Sequence, residues 1–184
     1  MYGETVSGRP DQGVILADLY FYAIDARLDG LVVTPRCDVE QQKADFLTVC
    51  AVKDAESTVR SLLAGGWSKM LDPEGQLMDS PGRNKMSDLR ANLVRLMRQE
   101  IPRFQWLPPY APRPSSLADF QLVQSFQHDE LQGIDRLAQL GSPYAEQVLA
   151  RYVAYMGRVG VNDPSEAELT ALVEQLVSAI FPSL

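Results

Sequence analysis

The stretch Gly30-Leu-Val-Val-Thr-Pro-Arg-Cys-Asp38, followed after a polar interval by Phe46-Leu-Thr-Val-Cys-Ala-Val52, decides how this chain folds. Both apolar runs are too short for ordinary helices and carry β-branched residues, so they read as two strands around a polar loop. Upstream, Val14 to Ile24 is apolar and aromatic and reads as one long bent strand or as two. The Asp29-Gly30 dipeptide between apolar runs predicts a hairpin turn.

Downstream the period changes. Asp54 is placed to cap a helix running to about Ala64, with Val59, Leu62 and Leu63 inward and Gly65-Gly66 ending it. Ser87 is expected to open an amphipathic helix with Leu89, Leu93, Leu96, Met97 and Ile101 on one face, stopped by Pro102. Phe104 to Leu107 reads as a short strand. Pro108 to Pro114 is a polyproline-like crossing, and Leu117 to Phe126 is a further strand in which Phe120 and Leu122 share a face. From Asp129 the pattern predicts helices. Leu131, Ile134, Leu137 and Leu140 line the first, and Ser142-Pro143 opens a second that runs to Arg158. Tyr144, Tyr152 and Tyr155 are expected at its seam with the barrel. A Ser165-Glu-Ala-Glu168 capping box starts a third, with Leu169, Leu172, Leu176 and Ile180 inward.

The expected class is therefore α+β. Residues 1–128 form a barrel-like body, a small β-barrel or a strongly bent sheet, with inserted helices and a loose N-terminal arm over 1–12. Residues 129–184 form a C-terminal helical extension packed on the body.

Composition narrows the function. The chain has 184 residues, 46% of them apolar, enough to bury a core. Its net charge of −7 gives no general attraction for nucleic acid or anionic membrane. No apolar run approaches a membrane span, and the N-terminus lacks the basic and apolar regions of a signal peptide. Two cysteines do not make a disulfide scaffold, which points to reduced thiols and a cytoplasmic protein. One histidine argues against a histidine metal site. No phosphate-binding glycine loop, nucleophile elbow or zinc signature is present, so no cofactor and no metal are implied.

The order of Gln12-Gly-Val-Ile-Leu-Ala-Asp-Leu19, Gly30-Leu-Val-Val-Thr34, a polar loop and Phe46 to Val52 resembles the SH3-like barrel of the MazF/PemK toxin family. It also resembles divergent relatives with a Ser/Thr-x-x-Cys-Asp turn. The resemblance covers about residues 12–52. It implies that Arg27 and Thr34 are the nearest matches to the arginine and the serine or threonine that serve RNA cleavage in that family. Arg27 is displaced from the family position, with Leu28-Asp-Gly30 intervening.

Three features carry the remaining chemistry. Cys37-Asp38 reads either as a nucleophilic or redox-active thiol, lowered by Arg36 or Lys43 and needing His128 as base, or as a small buried residue beside an Asp that caps the following turn. The second is the expectation for Cys37, and Cys50 is expected in the core. The stretch Arg83 to Arg103 is a basic island whose Arg95 and Arg98 face outward, toward phosphates of RNA, an acidic partner or solvent. Trp106 and Tyr110 belong to an aromatic, proline-rich ledge, a peptide surface or a packed crossover.

The reading that follows is a non-catalytic protein-interaction or adaptor module of a prokaryotic cytosolic system, with a protein partner, a possible homo-oligomer through the C-terminal helices and no membrane. Arg36, Asp38, Arg95, Arg98, Trp106 and Tyr110 are its candidate binding residues. The alternatives are an RNA-binding or RNA-cleaving relative of the toxins, using Arg27 and Thr34, and a thiol-dependent enzyme using Cys37.

Overall fold

A computed structural model describes residues 1–3, 10–41, 43–78 and 81–157. Its centre is the expected pair. Strand β3 (Ala26–Val32) runs antiparallel to β4 (Phe46–Asp54), with Leu31 opposite Cys50 and Val32 opposite Val49. The side chains alternate between two apolar layers. Leu47, Val49 and Ala51 join Val14, Leu16, Phe21, Val39 and Phe126 on one face. Cys50 and Val52 join Ile15, Leu31, Leu107, Phe120 and Val148 on the other. Both faces are covered, which is why these strands read as continuous apolar runs.

The remaining strands are β1 (Tyr2–Gly3), β2 (Val14–Phe21), β5 (Phe104–Leu107), β6 (Ser116–Gln127) and β7 (Arg136–Leu140). They form one antiparallel sheet in the order β1-β7-β2-β3-β4-β6-β5, curled into a half-barrel. The two ends of the sheet meet where the Tyr2 hydroxyl donates to the Pro108 backbone carbonyl, just beyond β5, at 2.7 Å. Helix α4 (Tyr144–Met156) packs on one face of the sheet. Its Ala145 and Val148 are buried, and Tyr152 and Tyr155 lie 5.7 and 6.0 Å from the Phe120 ring. Arg151 fastens it to the β5 side by donating to the carbonyls of Gln99 and Phe104. The class is α+β.

Three helices sit in the connections. Helix α1 (Arg36–Glu40) links β3 to β4. Helix α2 (Ala55–Ala64) starts as expected, with Asp54 Oδ1 accepting from the Ser57 amide at 2.7 Å. Helix α3 (Arg83–Met97) begins one turn earlier than the Ser87 start and ends before Gln99, whose φ is +63°. Leu96 is fully buried, but Met97 is 48% exposed rather than inward. Helices α2 and α3 share a third core of Ala55, Leu96, Phe104 and Leu117 with Trp67 and Trp106 against it.

Four readings of the sequence are corrected. Asp29-Gly30 is not a turn. The chain reverses in a single turn of tight helix over Tyr22–Ile24 that ends on Asp25 in the left-handed region (φ 50°). Gly30 lies inside β3 opposite Ala51, where a Cβ would stand 2.5 Å from Val49 Cγ1 and 2.6 Å from Leu19 Cδ1. Its glycine marks close packing. Second, residues 136–140 are strand, not helix, and pair with both β1 and β2. Gly133, at φ +79°, breaks any helix through 131–140, so this segment belongs to the sheet rather than to a helical extension. Third, Tyr2–Gly3 is not loose arm: it is the β1 edge strand. Fourth, Phe120 and Leu122 join different cores, because β6 bulges between its pairings with Cys50 and Ala51. The Ser165 capping box and the Leu169 to Ile180 stripe lie outside the described residues. Among the described residues no helix is long and apolar enough to cross a membrane.

Candidate functional site

An open cleft of about 310 Å³ lies where the C-terminal half of β2, the start of β3, the end of β4 and the chain entering β6 converge. Its polar lining is Asp18, Arg27, Asp29, Lys53, Asp54, Arg113 and Ser116. A bulge in β2 between Leu16 and Leu19 shapes one wall, and Asp18 within it holds φ +53°, a conformation that costs a non-glycine residue about 1 kcal/mol or more. From there the Asp18 amide points at Asp29 Oδ1 at 3.3 Å.

Each cation of the cleft is held by a carboxylate. Arg113 makes two bonds to Asp29, Nε to Oδ2 at 2.6 Å and Nη2 to Oδ1 at 2.9 Å. That pairing lifts the Arg113 pKa above its ordinary value. Arg27 Nη1 reaches the Asp18 carbonyl at 2.9 Å and its Oδ2 at 3.1 Å. Lys53 Nζ stands 3.4 Å from Asp119 Oδ2, which is not part of the cleft lining. Asp119 has no exposed surface and is already clasped by Arg103, Nε at 2.8 Å and Nη2 at 2.7 Å, with the Gln121 amide at 3.1 Å. Burial alone pushes the Asp119 carboxyl up. The Arg103 bonds, the Gln121 amide and the Lys53 charge outweigh it and hold the pKa below the usual aspartate value. Asp54 caps α2 with one oxygen, and the Ser116 hydroxyl donates to the Pro114 carbonyl.

The residues singled out from sequence do not assemble into one site. Arg27 lines the cleft. Thr34 lies beyond the other end of β3, two residues past Val32, at most about 23 Å away at roughly 3.3 Å per residue. It is buried, and its Oγ1 accepts from the Thr48 amide at 2.6 Å, prolonging the β3–β4 ladder. Cys37 is exposed, contrary to the buried reading, because the fourth residue of that segment, Val39, is the one α1 turns into the core. The thiol faces Asp38 Oδ1 at 3.5 Å, and no Asp38 side-chain cap is made at the helix start. His128 Nε2 bonds the Ala44 carbonyl. Arg36 pairs with Asp11 at 2.7 Å. Arg95 on α3 and Arg98 at its C-terminal cap are exposed as expected, Arg95 within 3.4 Å of Glu100, while Arg103 of the same basic island is engaged by Asp119. Tyr110 is 5% exposed and its ring packs on Tyr2, and burial pushes its phenol up to about 12. Trp106 is half-buried in the third core. The ledge is a packed crossover. Cys50 is fully buried, which drives its thiol pKa up, as does the nearby Asp119 charge.

Asp29, Lys53, Arg113 and Asp119 were not singled out. One signal was present: Asp119 interrupts the apolar run Leu117-Ala-Asp-Phe120, and a carboxylate in a buried strand needs a cation. Among the described residues no three of His, Cys, Asp or Glu gather as a metal site. Compared with known proteins, the chain matches no family and no curated sequence.

Proposed function

We propose that the protein is a non-catalytic interaction module of a prokaryotic cytosolic system that docks a protein partner through the charged cleft. The observation that supports this reading is the carboxylate beside each cleft cation: Asp29 bonds Arg113 twice, Asp18 pairs with Arg27, and Asp119, which Arg103 also holds, stands 3.4 Å from Lys53. Groups held this way present a preformed surface, which lowers the ordering cost of binding. The barrel's resemblance to MazF/PemK toxins makes RNA the second reading, and the place of Arg27 in the cleft favours it. The separation of Arg27 from Thr34 weighs against cleavage.

Arg27 is exposed, so Arg27→Glu removes a cleft cation without opening the core. A protein retained by the intact chain and lost by Arg27→Glu at unchanged melting temperature supports the proposal. Cleavage of RNA by the intact chain, abolished in Arg27→Glu, would replace it with the RNA reading. Binding to RNA that weakens steeply with salt would do the same.

A further inference from the structure

We propose that the occupant of the cleft is a mixed-charge stretch of polypeptide, with an acidic side chain against Lys53 and Arg113 and a basic neighbour against Asp54 and Asp18. The proposal rests on the docking reading above and names its ligand chemistry.

Both signs of charge keep bonding capacity in the cleft. Arg113 uses Nε and Nη2 on Asp29, and its Nη1 has no partner among the described residues. Lys53 makes one long contact, to a carboxylate that Arg103 already holds more closely, so its ammonium is under-engaged. Its side chain is 27% exposed, on the cleft wall. Among the described residues Arg27 engages its partners through Nη1. On the other side, Asp18 offers Oδ1 and Asp54 offers Oδ2, their other oxygens being bonded to Arg27 and to the Ser57 amide. Three cations and three carboxylates line the cleft, so its formal charge is zero.

A zero-charge lining that still holds unspent donors and acceptors discriminates. A polyanion meets as much repulsion as attraction and gains no long-range field. A single anion satisfies the cations but leaves Asp18 and Asp54 facing it. A segment with adjacent opposite charges meets both sets, and like-charge placements are penalised. The volume, about 310 Å³, is at the lower end of small-ligand sites and suits two or three side chains rather than a folded surface.

The test uses the full chain and capped tetrapeptides followed by backbone amide shifts: Gly-Glu-Lys-Gly against Gly-Glu-Glu-Gly, Gly-Lys-Lys-Gly and inorganic phosphate. The proposal expects the mixed-charge peptide to shift the amides of Asp29 and Lys53 at the lowest concentration. Lys53→Met and Asp54→Asn, the latter keeping a helix-capping oxygen, should each weaken it about threefold to fivefold. Arg60→Ala, on the outer face of α2, should leave it unchanged. Equal response to all three peptides, stronger response to phosphate, or no response to any of them overturns the proposal. If the peptides fail while Arg27→Glu still loses the captured protein, the ligand chemistry is wrong and the docking reading stands. If Arg27→Glu retains that protein, the docking reading falls with it.

Discussion

Asp29 and Arg113, 84 residues apart in the chain, form a two-bonded ion pair at 2.6 and 2.9 Å that joins β3 to the proline-rich crossing before β6. Asp29 is nearly buried while Arg113 keeps 44% of its side chain in solvent. Removing the arginine therefore strands an almost buried carboxylate. Arg113→Ala should cost roughly 1–2 kcal/mol in urea unfolding. Arg113→Lys should recover part of this, since an ammonium cannot reproduce the two parallel bonds. A loss below about 0.3 kcal/mol would mean that the pair is not formed in solution.

Gly30 faces Leu19 and Val49 so closely that a methyl group has no room. Gly30→Ala should destabilise the fold by about 1–3 kcal/mol through overpacking. A neutral result would show that the two neighbouring side chains yield freely.

The two edges of the half-barrel meet at the Tyr2 hydroxyl and the Pro108 carbonyl. Tyr2→Phe keeps the ring against Tyr110 and deletes this bond alone, so a loss of about 1 kcal/mol is expected. Amide exchange should speed up at Gly141, whose amide donates to the Met1 carbonyl beside β1, and not in β4. Uniform acceleration across the sheet would contradict a local seam.

Acid should act through Asp119. Its folded pKa is lowered, so the stability it contributes is complete above the ordinary aspartate value near about 3.9 and disappears as pH falls through the lower folded value. Carbon NMR titration of this carboxyl should give a midpoint below the ordinary aspartate value. At the alkaline end the sign reverses. Tyr110 is raised to about 12, so its contribution is complete below about 10 and is lost as pH climbs toward 12. An Asp119 midpoint above 4 would show that burial wins over Arg103.

The thiols should separate cleanly. Cys37 is exposed and Cys50 has no accessible surface. A thiol reagent at neutral pH should modify Cys37 in the folded chain and spare Cys50 until unfolding. Modification of both at similar rates would contradict the buried β4 register.

Local and periodic signals made much of the fold legible. The β3–β4 pair came from two Val-rich runs, the α2 start from Asp54, and the α4 seam from Tyr152 and Tyr155, whereas Tyr144, expected with them, is 38% exposed. What failed was decided by distant partners. The 131–140 segment has helical spacing, but Tyr2, Gly3 and Val14 offer it a ladder, and Gly133 was the unused warning. Asp29-Gly30 looked like a turn because the close approach of Leu19 and Val49 that requires glycine there is set by tertiary packing. The cleft was the least legible part. Arg113 sat in a proline-rich crossing, and nothing local ties it to Asp29. Arg27 was singled out for a toxin-like role, and only the bulge at Asp18 shows which groups surround it.

The proposed docking of a partner in the charged cleft has a direct readout. Hydrogen exchange of the full chain, alone and with the captured protein bound, tests it most directly. Slowed exchange over residues 16–29, 52–57 and 113–117, with α3 unchanged, is the predicted result. Protection confined to residues 83–98, on the face that carries Arg95 and Arg98, would contradict it.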